Sequence, residues 1–156
     1  SDKGIYMEMR PVELTRIAGS VAGALEIKAG RYGMRIETDF PEPLWAMGAE
    51  ERLRQVLVNL VDNAIKYTDQ GGVTVSLKPY KLFVCIEVAD TGIGIPEEEQ
   101  AKIFGRFYRS PQAADQEGVG IGLYLAREIL KQESGYIKVR SEEGMGAVFS
   151  LYLPVD

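Results

Sequence analysis

The sequence predicts a two-layer α/β sandwich in which helices cover one face of a largely antiparallel sheet, and three observations predict it. Three segments repeat apolar residues with a helical period, and about five or six short segments alternate apolar and polar residues. Most of the alternating segments are joined in pairs by turns rich in glycine or proline. Length agrees with this reading, because 156 residues with 46% hydrophobic content suit one domain with a substantial core.

Residues 1–11 lack periodicity and end in Arg10-Pro11, so they read as an extended lead-in from a truncated upstream region, with the domain itself over 12–156. From Val12 to about Lys28 the apolar residues Leu14, Ile17, Ala18, Val21 and Leu25 keep helical spacing, and Gly30 and Gly33 mark the exit. Met34 to Phe40 alternates as a half-buried strand does, until Pro41 and Pro43 interrupt it before the apolar run Leu44 to Met47. A second helix is predicted from about Glu50 to Tyr67, with Leu53, Val56, Leu57, Leu60, Val61 and Ala64 as its inward stripe. Gln70-Gly71-Gly72 is a turn signal. Val73, Val75 and Leu77 then alternate, and Pro79-Tyr80-Lys81 turns the chain into the highly apolar strand Leu82 to Ala89. Residues 97–120 form a long, mixed, glycine-flanked segment with a short helical piece around Glu98 to Phe104, and long loops in compact domains tend to be functional. Ile121 to Lys131 resumes helical spacing, and two strands, Tyr136 to Ser141 and Ala147 to Leu153, close the chain around Glu142-Glu143-Gly144-Met145-Gly146.

Composition removes several classes of function. A net charge of −5 with the 18 Lys and Arg scattered gives no footprint for nucleic acid. The single cysteine, Cys85, rules out a disulfide within the chain and reads as a buried strand thiol, in keeping with a cytoplasmic setting. No apolar run approaches the roughly 20 residues of a membrane helix, so no membrane contact is expected of these residues. There is no histidine, which eliminates imidazole metal sites, histidine general bases and Ser-His or Cys-His pairs together.

Chemistry concentrates on the second predicted helix. Asn63, Lys66 and Tyr67 follow Asn59 by four, seven and eight positions, so at about 100° per residue they share one flank beside the apolar stripe. Carboxamide oxygens suit Mg²⁺, which keeps several waters and shares substrate phosphates, and an ammonium suits a phosphate. Alone, such residues more often solvate an outer face. A complementary set exists at Asp90-Thr-Gly92-Ile93-Gly94-Ile95, where a strand gives way to a glycine turn. A carboxylate there can accept a hydrogen bond from an exocyclic amine such as that of adenine, although the same string also suits an ordinary turn. Gly118-Val119-Gly120-Ile121-Gly122 precedes a helix, so its amides can cradle phosphate or simply cap that helix. Between these lies Phe104-Gly-Arg-Phe107-Tyr108-Arg109, whose aromatics suit packing and whose Arg109 suits a terminal phosphate. Neither the Rossmann fingerprint nor a P-loop is present.

This order of motifs resembles the catalytic ATP-binding domain of bacterial sensor histidine kinases, over nearly the whole chain. Asn59-Leu-Val-Asp-Asn63-Ala-Ile-Lys66-Tyr67-Thr68 is similar to that family's N box, Asp90 to Gly94 to its first glycine box, Phe104 to Phe107 to its F box, and Gly118 to Gly122 to its second glycine box. The resemblance implies the Bergerat fold, a mixed, mostly antiparallel sheet covered on one face by three helices, with a flexible ATP lid over about Pro96 to Gly120. It implies that Asn63 holds Mg²⁺ and that Asn59 supports the metal and phosphate region. Lys66 and Arg109 would contact phosphates, and Asn59, Lys66 and Arg109 would fill the catalytic roles. Tyr67 and Tyr108 would line the nucleotide. Asp90 would bind the adenine amine, flanked by Gly92, Ile93, Gly94 and Ile95, and Gly118, Val119, Gly120, Ile121, Gly122 and Leu123 would wrap the phosphates. Cofactors would be ATP and Mg²⁺. The partners would be a histidine-bearing dimerisation domain and a response regulator.

The sequence departs from the family pattern at Val119, where threonine is frequent, at Ala49-Glu50-Glu51, where an aspartate often precedes the helix, and at Glu133-Ser-Gly135, in place of His-Gly-Gly. The same superfamily includes ATPases of the gyrase, mismatch-repair and chaperone types, but these usually carry an acidic base where Asn59 stands. A noncatalytic nucleotide-sensing module is the remaining alternative. With no histidine in the chain, the phosphoacceptor of a kinase must come from outside it.

Overall fold

The computed structural model describes residues 8–68, 70–105 and 122–156. Two sheets are present among them. Strand β1 (Arg10–Glu13) pairs antiparallel with β3 (Trp45–Gly48) in a two-stranded ribbon, and a five-stranded sheet has the order β2-β4-β5-β7-β6. In that sheet β2 is Arg35–Asp39, β4 Gly72–Tyr80, β5 Phe83–Asp90, β6 Tyr136–Ser141 and β7 Ala147–Pro154. Helices α1 (Leu14–Arg31), α2 (Glu50–Lys66) and α4 (Gly122–Gln132) pack on it, and α3 (Glu97–Gln100) is a single short turn.

Most elements lie where periodicity places them. The N-terminal strand is the exception, since β1 begins at Arg10, inside the segment read as a lead-in, and Val12, read as the start of the first helix, is a strand residue. Four residues are too short to show a period. What holds them is pairing, with Pro11 opposite Met47 and Val12 opposite Ala46. Glu13 gives α1 no side-chain cap, and the opening turn is fixed from elsewhere. Leu14 N–H donates to the Leu44 carbonyl at 2.9 Å, and Leu44 N–H donates to Thr15 Oγ1 at 2.9 Å. The ribbon carries Trp45, the chain's one tryptophan, which is 56% exposed.

All contacts in the large sheet are antiparallel except β2 with β4, which run parallel. A parallel neighbour requires a crossover. Here the chain makes it through β3 and α2, which lays the asparagine helix across the sheet. One sheet face supplies Val73, Val75, Leu77, Val84, Ile86, Val88, Phe149, Leu151 and Leu153 to the core. Against them pack Leu53, Val56, Leu57, Leu60, Val61, Ala64 and Ile65 of α2, the predicted stripe plus Ile65.

The opposite face alternates out of the core. Tyr136 stacks on Tyr152 with ring centroids 4.4 Å apart, and Tyr80 and Phe83 meet Tyr152 and Tyr136 edge to face at 5.2 and 5.3 Å. Cys85 is the buried free thiol expected of the strand, and burial pushes its pKa up. Among the described residues no helix is long and apolar enough to cross a membrane.

Ile86, fully buried on the central strand β5 opposite Leu77 and Leu151, has neighbours on both sides and a helix above it. Ile86→Ala should therefore lower unfolding free energy by about 2–5 kcal/mol, read from urea titrations followed by circular dichroism. A loss below 0.5 kcal/mol, the scale of an ordinary surface change, would contradict a core centred on β5.

Candidate functional site

The site begins at the C-terminal end of α2. Its last turn places Asn63, Lys66 and Tyr67 at half-buried positions, while Leu60, Ala64 and Ile65 face the core. The helix has no side-chain cap at Ala49, and Glu50 and Glu51 supply first-turn acids that favour its N-terminal dipole. Ala49 N–H instead donates to Oε1 of the buried Glu133 at 3.3 Å, which links the start of α2 to the residue after α4. Burial raises the Glu133 pKa, against the smaller opposing effects of the Ala49 N–H and the Arg52 guanidinium.

At its other end α2 meets the turn after β5. Ile93 N–H donates to the Tyr67 carbonyl at 3.1 Å, and a Cβ on Gly92 would lie 2.1 Å from that carbonyl oxygen and 2.7 Å from Thr68 Oγ1. Only glycine can sit so close to the end of the helix. Thr68 is itself buried and donates its hydroxyl to the Ala64 carbonyl at 2.7 Å.

Asp90 terminates β5 with one carboxylate oxygen occupied. Its Oδ1 accepts from Gly92 N–H at 2.9 Å, closing an Asx turn, and from Ala147 N–H at 3.3 Å on the neighbouring β7. No group among the described residues bonds Oδ2, so that oxygen is left to accept from a ligand. Desolvation raises the Asp90 pKa from its ordinary value, and the two backbone N–H groups oppose that shift.

The turn is braced from its far side by the β6–β7 hairpin. Gly144 N–H donates to the Ile93 carbonyl at 2.6 Å, and a Cβ on Gly146, which has φ +86°, would lie 2.1 Å from the Asp90 carbonyl oxygen. Gly94, with φ +73°, makes the same backbone approach to the Glu142 carbonyl oxygen. Ser141 Oγ accepts from Ile95 N–H at 2.8 Å and donates to the Gly146 carbonyl at 2.6 Å, and Gln100 donates to the Ile95 and Ser141 carbonyls at 2.9 Å each. Thr91 Oγ1 donates to the Gln70 carbonyl and accepts from Gly72 N–H, each at 3.1 Å.

The structure thus brings Asn63, Lys66 and Tyr67 to the same end of the sheet as Asp90, Gly92, Ile93, Gly94 and Ile95, with Asn59 one turn earlier on α2. Leu123 is in the first turn of α4, packed against the core, and Gly122 opens that helix. Ile103 is buried, and Phe104 rests edge to face on Phe149 with centroids 6.3 Å apart, beneath the Arg127 guanidinium. Phe107, Tyr108, Arg109, Gly118, Val119, Gly120 and Ile121 lie outside the described residues. Sequence reasoning gave no role to Thr91, Gln100 and Ser141, because each bonds backbone groups distant in the chain and a lone hydroxyl or amide carries no periodic signal, and it gave Thr68, which bonds the Ala64 carbonyl one turn back, no role beyond its place in the N-box resemblance. Thr68 alone had a cue, its place just past the end of a predicted helix.

Known proteins resemble this chain in sequence and in fold. Residues 48–156 match the family described as histidine kinase-, DNA gyrase B- and HSP90-like ATPases. The adaptive-response sensory kinase SasA of Thermosynechococcus vestitus is 39% identical over 94% of this chain, which spans 39% of that relative. A crystal structure of full-length ShkA in complex with AMPPNP superposes with a TM-score of 0.86 at 31% identity, covering 96% of this chain and 32% of that one. The nucleotide-free catalytic domain of the histidine kinase ThkA gives 0.84 at 28% identity, over 96% of this chain and 99% of its own. The chain belongs to the histidine kinase-, DNA gyrase B- and HSP90-like ATPase family, and within it to the catalytic ATP-binding domains of sensor histidine kinases.

Proposed function

We propose that this chain binds Mg²⁺-ATP between the end of α2 and the Asp90 turn and presents the γ-phosphate to a histidine on a separate dimerisation domain, which then serves a response regulator. The observation that carries the reading is the Asp90 carboxylate, fixed through Oδ1 by two backbone donors with Oδ2 left to accept. That arrangement suits the exocyclic amine of adenine. Gly92 and Gly94 support the reading by letting the turn pack directly on the Tyr67 and Glu142 backbone, which holds Asp90 in place.

The residues also fit the metal. Among the described residues no group of three or more His, Cys, Asp or Glu could hold an ion, so an acidic cage is not the mode of binding they offer. The carboxamide of Asn63, supported by Asn59, offers hard neutral oxygens of the kind Mg²⁺ takes alongside phosphates and water. Bound there, Mg²⁺ supplies charge neutralisation of the phosphates. Lys66 adds an ammonium at the same end of α2, and Arg109 with the glycine run 118–122 completes the set of phosphate contacts. Tyr67 and Tyr108 line the nucleotide. Phosphoryl transfer rests largely on such positioning and charge stabilisation, so these residues need supply no nucleophile. Asn59, where an acidic water-activating group would be required for hydrolysis, favours the kinase reading over an ATPase one.

Asp90→Asn tests base recognition. The amide oxygen can still accept from Gly92 and Ala147, so the variant should fold, but ATP affinity should fall by about ten- to a hundredfold, since a charge-assisted hydrogen bond is worth about 1.5–3 kcal/mol. The raised pKa gives a second readout. As pH falls through that raised value the acceptor is lost, so wild-type affinity should begin to decline at a higher pH than an unperturbed aspartate would dictate, while Asp90→Asn stays flat there. Calorimetry showing equal affinities and equal pH profiles would remove Asp90 from the base site.

Phosphoryl transfer is tested in trans. With γ-labelled ATP this chain should not label itself on histidine, having none, but should label a separately supplied histidine-bearing dimerisation domain of the same kinase. Lacking a tether that raises the effective concentration toward about 1 mM, transfer should be slow and should rise with partner concentration. Absence of histidine-dependent label on a folded partner at high concentration would favour an ATPase or a nucleotide sensor.

A further inference from the structure

The ion-pair cluster joining α1 to α2 is not used by the reading above. Asp62 lies one residue before Asn63, and its two oxygens face two ammoniums. Lys28 Nζ, from the last turn of α1, sits 2.5 Å from Oδ1, and Lys66 Nζ, one turn further along α2, sits 3.4 Å from Oδ2. The three side chains are 36%, 24% and 25% exposed for Lys28, Asp62 and Lys66, so the cluster is partly withdrawn from water.

A carboxylate in this place opposes triphosphate binding in two ways. Its charge repels phosphate, and its attraction holds the Lys66 ammonium away from phosphate. Lys28 counters both effects, because it holds the nearer oxygen and reaches it from a different helix. We propose that Lys28 is a positioning residue for nucleotide binding, neutralising Asp62 from α1 so that the Lys66 ammonium is released to the phosphates. The proposal rests on the reading that Lys66 meets phosphate. It makes α1, which carries none of the family's motifs, a contributor to phosphate affinity.

The test measures Mg²⁺-ATP and adenosine affinities by calorimetry for the wild-type chain, Lys28→Met, Lys28→Arg, Lys66→Met and the double variant Lys28→Met/Asp62→Asn, with thermal melts to confirm folding. Lys28→Met should weaken ATP by about two- to fivefold, the scale of a partly exposed ion pair, and leave adenosine unchanged. Lys28→Arg should retain affinity. Adding Asp62→Asn to Lys28→Met should restore most of the loss, which a purely structural helix link would not do. The effect should shrink as salt is raised toward 1 M, where screening acts within about 3 Å. Unchanged ATP affinity in Lys28→Met, an equal loss for adenosine, or no recovery in the double variant would overturn the proposal while leaving the Lys66 reading intact. Unchanged ATP affinity in Lys66→Met would overturn both.

Discussion

Backbone-to-backbone contact between the end of α2 and the turn after β5 is the constraint on which the rest of the site depends. The Tyr67 carbonyl accepts the Ile93 N–H, and the absence of a side chain at Gly92 lets the two segments touch. Because α2 is the crossover between parallel strands β2 and β4, its position is set by sheet topology as well as by its apolar stripe. The metal-facing carboxamides and the base-facing carboxylate proposed here thus sit on two rigid elements joined at one point. A second brace, from Gly144 and Gly146, fixes the same turn from the β6–β7 side. The turn is held between two structures and has little freedom to drift, which is the preorganisation that the proposed base site would require.

Much of this was legible from the residues because its causes are local. Leu53, Val56, Leu57, Leu60, Val61 and Ala64 announce a helix face by spacing alone, and all six are buried on α2. The hairpin of β4 and β5 follows from alternation on either side of a turn, with Lys81 at φ 55° in that turn. Asp90 and the glycines after it could be singled out because strand-to-turn carboxylates and paired glycines are rare in combination with an asparagine helix.

Other features have causes spread across the chain, and those were not legible. Strand β1 exists because β3 pairs with it, and nothing within Arg10–Glu13 alternates strongly enough to show it. The Glu133 carboxylate accepts from the Ala49 N–H at the start of α2 from 84 residues away, and Ser141 bonds Ile95 across 46. Asp62 drew no notice because a charged residue between two asparagines on a helix is unremarkable until its partners are known. One of these, Lys66, is visible at i+4, and the other, Lys28, comes from a helix packed alongside.

Trp45 has a consequence for how the molecule can be observed. The single indole lies largely in solvent on the β1–β3 ribbon, outside the core, whereas tyrosines 80, 136 and 152 pack together on the main sheet. Tryptophan emission therefore reports chiefly on the ribbon and on the N-terminal segment that pairs with it. Circular dichroism of the whole backbone follows the helices and the main sheet, so the order in which the two signals change on heating or in denaturant distinguishes fraying of the N-terminal edge from loss of the core.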